Sequence, residues 1–161
     1  MSVYRRFDGH GYPSLITTNI KNRQKLFCDP RAAAMLLNVL GEVQKGAGVT
    51  IYAYVVMPDH LHLVASWPND QRVSRIMRLM KGRFARRWNR RAGLDGSVWQ
   101  SRFHERALRS EHSLARAVDY VEWNPVTAGL VGEPAEYSWS SAYPGGETSG
   151  RQVRLNTLTG L

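Results

Sequence analysis

Two histidines stand one residue apart in Met57-Pro58-Asp59-His60-Leu61-His62-Leu63-Val64, inside an apolar run of strand character. Along a β-strand the side chains at i and i+2 share a face, so His60 and His62 project together while Leu61 and Leu63 face the other way. Two neutral imidazoles on one rigid surface supply two nitrogen ligands, the beginning of a divalent-metal site. The same pattern also fits two ordinary half-exposed histidines on a sheet. A second group stands in Asp119-Tyr120-Val121-Glu122-Trp123-Asn124-Pro125, where Tyr120 and Asn124 are one helical turn apart and share a helix face. Beside His60 and His62, that face would present a phenol and an amide oxygen to the metal. The Asn124 oxygen could complete a three-ligand site with positions left open for substrate. A tyrosine is a poor general base near neutrality, but as a nucleophile it can form a covalent intermediate. The alternative is a packed aromatic ring with an asparagine capping the helix end.

The elements that must position these groups can be read in order. Residues 14–20 are β-branched and predict a first strand. Asp29-Pro30 offers a helix start, and Ala, Met, Leu and Val at helical spacing carry that helix over 31–45 to Gly46 and Gly48. Val49 to Val56 and His60 to Ser66 predict two strands joined by the tight connection Met57-Pro58-Asp59, an antiparallel hairpin. Pro68-Asn69-Asp70 caps a helix over 71–91, and 98–108 reads as an extended segment. The last helix spans 112–123 and is stopped by Asn124-Pro125. This order is the βαββαβ pattern of ferredoxin-like α+β folds: an antiparallel sheet with helices packed on one face, plus an additional C-terminal helix. The expected domain covers 1–143, followed by a polar tail over 144–161.

Charge narrows the partner. The chain has 161 residues, 22 Lys and Arg against 13 Asp and Glu, and a net charge of +9. No acid occurs between Asp70 and Asp95, while that segment holds Arg72, Arg75, Arg78, Lys81, Arg83, Arg86, Arg87, Arg90 and Arg91. The remaining 13 bases balance the 13 acids, so one helix carries the net charge. On it, Val73, Ile76, Met77, Met80, Phe84 and Trp88 form the core-facing stripe, with Arg72, Arg75, Arg83, Arg86 and Arg90 along one flank. Solvated helices usually mix signs, because acid–base pairs one turn apart support them. A single-sign flank fits contact with a polyanion, mainly through phosphate, and the competing reading is a plain solvated surface. His104, read in a strand with Arg102 and Arg106, is either a further DNA contact or a half-buried structural histidine. His112 falls at a helix start. The five tryptophans could include a base-stacking platform, most being core. The lone Cys28 excludes an internal disulfide and a cysteine-rich zinc site. With no leader-like segment and no apolar run of membrane-spanning length, the expectation is a soluble cytoplasmic protein.

Pro58-Asp59-His60-Leu61-His62, taken with Asp119 through Val131, resembles the single-tyrosine HUH transposases, named for a His-hydrophobic-His motif, and more narrowly the REP-associated tyrosine transposases of bacteria. Tyr4-Arg5-Arg6, the strand beginning at Tyr12, Trp99-Gln100-Ser101-Arg102-Phe103 and Trp139-Ser140-Ser141 fit the same pattern, so the resemblance runs from residue 4 to about 143. It implies metal-dependent cleavage and rejoining of single-stranded DNA near hairpins. On this chain it implies His60, His62 and Asn124 as ligands of Mg²⁺ or Mn²⁺ and Tyr120 as nucleophile. The expected DNA contacts are then Arg72, Arg75, Arg83, Arg86 and Arg90 of the basic flank, with Arg5, Arg6 and Arg102 in the segments that fit the family pattern. The protein would be a nucleoid-associated monomer or homodimer without a nucleotide cofactor. Many relatives carry a histidine where this chain has Glu122, a position about 200° from Tyr120 around the helix and so off the catalytic face. The rival to a strand transferase is a hairpin-binding module with idle chemistry, domesticated for a host role; a third class, a ferredoxin-like ligand-binding domain with incidental histidines, is disfavoured by the basic helix.

Overall fold

The computed structural model describes residues 11–144; Arg5, Arg6 and the tail beyond Pro144 lie outside them. Four strands, β1 (Ser14–Asn19), β2 (Thr50–Met57), β3 (His60–Ser66) and β4 (His104–Ala107), form one antiparallel sheet in the order β2-β3-β1-β4. With α1 (Pro30–Ala47) between β1 and β2, and α2 (Val73–Ala92) between β3 and β4, this is the expected ferredoxin-like arrangement. The additional helix, α3 (Glu111–Thr127), follows β4.

Two cores sandwich the sheet. Ile16, Ile51, Tyr54, Val56, Leu61, Leu63 and Ala65 face α1 and α2, where Leu36, Leu37, Leu40, Met77, Met80 and Phe84 complete one apolar layer. Tyr52, Ala53, Val55, Met57 and Val64 face Leu114, Ala117 and Val121 of α3 in the second. Helices α1 and α2 thus share one face, and the extra helix covers the other. The stripe assigned to α2 is the buried one: Ile76, Met77, Met80, Phe84 and Trp88 all lie in the core.

Several boundaries differ from the sequence reading, three of them instructively. The predicted 98–108 strand is only four residues long; ahead of it, 98–100 meet the end of β1 in one isolated antiparallel bridge, Ile20 to Trp99, with Gln100 N–H on the Asn19 carbonyl and Lys21 N–H on the Val98 carbonyl, both at 2.9 Å. Lys81 Nζ donates to the Gln100 carbonyl at 2.7 Å, and Trp99 Nε1 donates to the Lys81 carbonyl at 3.1 Å. Helix α2 starts at Val73 rather than 71, with Arg72 as its N-cap and no side-chain cap bond. Asn124-Pro125 does not stop α3, which continues to Thr127. Proline removes a single N–H from the ladder, and Pro125 is buried, so packing offsets that loss for the last turn. Glycine then ends the run: Gly129 adopts φ 76°, and Leu130 N–H returns to the Pro125 carbonyl at 2.9 Å.

Residues 139–143 lie against the free edge of β2, with Val56 N–H on the Trp139 carbonyl and Ser141 N–H on the Tyr54 carbonyl. Phe84, fully buried, packs between Phe27, Trp88 and Trp99. Phe84→Ala should lower unfolding free energy by about 3–5 kcal/mol, read as a reduced urea midpoint. An unchanged midpoint would show that the α2 layer does not carry the fold.

Candidate active site

Strand alternation fixes which groups meet. Leu61 and Leu63 are buried against α1 and α2, which turns His60 and His62 toward the α3 side. The register sets Asn19 and Met57 beside His60, and Thr17 and Val55 beside His62. Helix α3 begins at Ser110, whose hydroxyl accepts from Ser113 N–H in a reciprocal capping box. Its buried face seats Leu114, Ala117 and Val121 on the sheet. Tyr120 therefore arrives beside the histidines within one chain: its ring centroid lies 5.4 Å from that of His62. The phenol is half-exposed, open to solvent at 52%. Asn124, one turn further on, is half-buried.

The two imidazoles converge through their Nε2 atoms, 3.1 Å apart. Their far sides are held. His60 Nδ1 lies 2.6 Å from Asp59 Oδ1, and His62 Nδ1 lies 2.8 Å from Thr17 Oγ1. Desolvation opposes ionisation of Asp59, but hydrogen bonds from His60 and Arg23 outweigh it and hold the carboxyl below its ordinary range. An ionised carboxylate only accepts, so the proton of this bond sits on His60 Nδ1, and in the neutral ring the Nε2 lone pair faces His62. The Thr17 hydroxyl can donate or accept and so serves either tautomer of His62. Burial, reinforced by the charges of His60 and Arg23, pushes the His62 pKa down to about 4. His62 is thus neutral near pH 7, the state a metal ligand requires.

This donor set fits a divalent cation. A separation of 3.1 Å suits two nitrogens that each sit about 2.1 Å from one ion. The carboxylate behind His60 is the usual outer partner of a ligating histidine. Among the described residues no three His, Cys, Asp or Glu side chains gather, so a further protein donor would be an amide or hydroxyl such as Asn124.

The turn bearing Asp59 is itself pinned. Ile20 N–H donates to the Asp59 carbonyl and Phe27 N–H to the Pro58 carbonyl, both at 2.9 Å. Arg23 Nε reaches Asp59 Oδ2 at 2.8 Å while its Nη1 holds Asn19 Oδ1 at 3.1 Å. Arg23 does so from φ 54°, a left-handed backbone that a non-glycine side chain adopts at a cost of about 1–2 kcal/mol. Neither Arg23 nor Thr17 stood out in the sequence. Thr17 was findable from strand pairing, whereas nothing local marks Arg23.

Other candidates separate. Glu122 is buried and accepts from Ser141 Oγ at 3.2 Å, so it supports the 139–143 segment. Arg83 and Arg87 of α2 bind Glu42 of α1 at 3.0 and 2.8 Å. The acid missing from the helix is thus supplied by its neighbour, and Arg83 is not the unpaired cation that helical spacing suggested. Arg72, Arg75, Arg86 and Arg90 are exposed and form no ion pair among the described residues. Helix α2 nevertheless lies across the sheet from Tyr120. Arg102 is exposed but precedes β4 rather than belonging to it. His104 and Arg106 do share a strand face, and His104 is exposed rather than half-buried. Among the tryptophans, Trp88 and Trp99 are core and Trp67 and Trp139 pack against it, while Trp123, three residues after the nucleophile candidate, is 50% exposed.

A depressed histidine pKa has a sign that can be checked. Between about pH 4 and 6.5 the unfolded chain binds a proton at His62 that the folded chain does not. Stability therefore rises with pH through that window and is lost as pH falls through it, by up to about 3 kcal/mol. In metal-free protein the His62 ring resonances should titrate near pH 4, and His62→Gln should flatten the stability profile between pH 4 and 6.5. Titration of His62 near its ordinary value of 6.5 would contradict the buried, neutral ring.

The family described as transposase IS200-like matches residues 14–124, from the start of β1 to Asn124. A REP-associated tyrosine transposase of Escherichia coli K12 is 31% identical over 142 residues, spanning 88% of this chain and 82% of that protein. The solved structure of a REP-associated tyrosine transposase bound to a REP hairpin superposes with a TM-score of 0.70 at 28% identity, covering 91% of this chain and 93% of that one. A crystal structure from Deinococcus radiodurans R1, 23% identical with a TM-score of 0.53, shares the fold. With the histidine hairpin and Tyr120 both inside the matched span, the chain belongs to the IS200-like transposase family, in the group of the REP-associated tyrosine transposases.

Proposed function

We propose that this transposase cuts and rejoins single-stranded DNA at hairpin elements through a covalent bond to Tyr120. The observation that carries the reading is the solvent-open Tyr120 phenol beside the His60–His62 pair within one chain. Hairpin binding by the similar solved transposase supports the substrate class. In the reaction, the phenolic oxygen attacks the scissile phosphorus and loses its proton to solvent. The bond from phosphorus to the 3′ oxygen breaks, and that oxygen leaves as a 3′-hydroxyl. The 5′ phosphate remains as a phosphotyrosine diester. A 3′-hydroxyl from another strand can displace the tyrosine, so rejoining conserves bond energy and needs no nucleotide triphosphate. A divalent ion such as Mg²⁺ or Mn²⁺, held by His60, His62 and the Asn124 side chain, would supply positive charge beside the scissile phosphate. Asp59, held by Arg23, keeps the His60 ring aimed, and Thr17 fixes the His62 ring.

Phosphate contacts outside the site would come from Arg72, Arg75, Arg86 and Arg90 on the free flank of α2. Converting Arg75, Arg86 and Arg90 together to alanine should reduce the slope of log affinity against log salt by about 2, and weaken binding to unrelated hairpins equally. An unchanged slope would make that flank a solvated surface.

Tyr120→Phe removes one oxygen and keeps the ring, so hairpin affinity and metal binding should persist while cleavage is lost. The wild type should yield a protein–DNA adduct that survives boiling in detergent and is attached through the 5′ phosphate. His62→Ala should lose metal affinity, measured by titration calorimetry with Mn²⁺, together with cleavage. Cleavage by Tyr120→Phe at the wild-type rate would make a water the nucleophile and would sink strand transfer.

A further inference from the structure

Asp59 precedes His60 in the chain, and Asn19 is the partner of His60 across the sheet. One side chain holds both of these neighbours. Arg23 Nε lies 2.8 Å from Asp59 Oδ2 and its Nη1 lies 3.1 Å from Asn19 Oδ1, while the other Asp59 oxygen accepts from His60 Nδ1 at 2.6 Å. The Asn19 amide is fixed at its other end too. Its Nδ2 donates to Gln100 Oε1 at 3.3 Å, and the Gln100 carbonyl accepts from Lys81 Nζ of α2 at 2.7 Å. An unbroken run of hydrogen bonds thus ties the His60 ring to the helix layer behind the sheet.

Folding stability does not account for this arrangement. Asn22 and Arg23 both adopt left-handed backbone, at φ 58° and 54°, in a turn that buries none of its side chains. Strained residues of this kind persist where their contacts over-determine them. The Arg23 side chain is half-exposed, and exposed ion pairs contribute little to stability. Its charge does not account for it either. Burial, then the charges of His60 and Arg23, hold the His62 pKa at about 4, so the guanidinium is felt at the site and repels a divalent ion by the same field. What is left is the planar fork, which bridges a carboxylate and an amide at fixed angles as an ammonium cannot.

We infer that Arg23 is a positioning residue for the metal-ligand pair, raising its affinity for a divalent cation by fixing the His60 ring through Asp59 and Asn19. This rests on the reading of His60 and His62 as metal ligands and deepens it: a cationic side chain outside the ligand set strengthens the binding of a cation, against the sign of its own charge. The strained turn from Lys21 to Arg23 is then a feature of the site rather than of the fold.

Titration calorimetry of the full chain with Mn²⁺, at one pH, reads the sign. Arg23→Gln removes a positive charge, yet it should weaken Mn²⁺ binding about tenfold, the scale expected for an outer partner of a ligating histidine. Arg23→Lys keeps the charge and loses the fork, and should still weaken binding about threefold or more. Arg23→Gly relieves the left-handed backbone. Its melting temperature in chelator should match or exceed that of the wild type while its Mn²⁺ affinity falls about tenfold. A merely structural residue would lower both together. A metal-free readout stands beside these: ¹⁵N spectra of the imidazoles should show His60 protonated at Nδ1 in the wild type and exchanging between both tautomers in Arg23→Gln. Equal or tighter Mn²⁺ binding by Arg23→Gln, an unchanged His60 tautomer in that variant, or a melting temperature of Arg23→Gly that drops in step with its affinity would each overturn the positioning role. A wild-type chain that binds no Mn²⁺ would instead remove the metal reading, and the tautomer would then decide by itself whether Arg23 sets the ring.

Discussion

Alternation along β3 is the constraint on which the site depends. Every second residue of that strand is leucine or alanine committed to the α1–α2 layer, and moving one of them out would turn the whole strand over. Burial of Leu61 and Leu63 therefore holds His60 and His62 on the opposite face at the cost of apolar exposure. The ligand pair is thus fixed by the hydrophobic effect before any hydrogen bond is made. Val64, on the histidine face, then packs into the second core and brings α3 down beside them.

Polar contacts refine what alternation sets. The Asp59 carboxylate sits on the two-residue turn, accepting from His60 on one oxygen and from Arg23 on the other. Backbone bonds from Ile20 and Phe27 lock the turn from behind. The 20–28 segment, which is neither strand nor long helix, thus acts as a brace. The unfavourable backbone of Arg23 is consistent with that role, since left-handed non-glycine residues persist where surrounding contacts over-determine them. Prepared in this way, the two imidazoles need little reorganisation to accept a cation, and a neutral His62 need release no proton.

The molecule also divides its positive charge. The α2 arginines are numerous, and those on the α1 side are partly neutralised by Glu42. The smaller group around β4 and α3 is unpaired and lies next to the phenol. Net charge alone therefore misjudges where an anion meets the chemistry: the segment with most of the charge covers the face of the sheet away from Tyr120.

Much was determined by the sequence alone. The strand and helix order, the shared face of His60 and His62, the one-turn pairing of Tyr120 with Asn124 and the buried stripe of α2 all follow from periods of two and 3.6 residues, which are local properties of the backbone. The displacement of Glu122 from the catalytic face follows from the same geometry. Tertiary structure decided the rest. Which side of the sheet α3 covers depends on apolar matching between Leu114, Ala117 and Val121 and a strand far away in sequence. The survival of α3 beyond Pro125 depends on burial of that proline, and the partner of Arg83 is a carboxylate on another helix. Arg23, Thr17 and the arginines gathered near Tyr120, Arg106, Arg109 and Arg116, acquire meaning only when separate segments converge. Periodicity reports how one element meets its surroundings, but it carries no information about which elements those surroundings are.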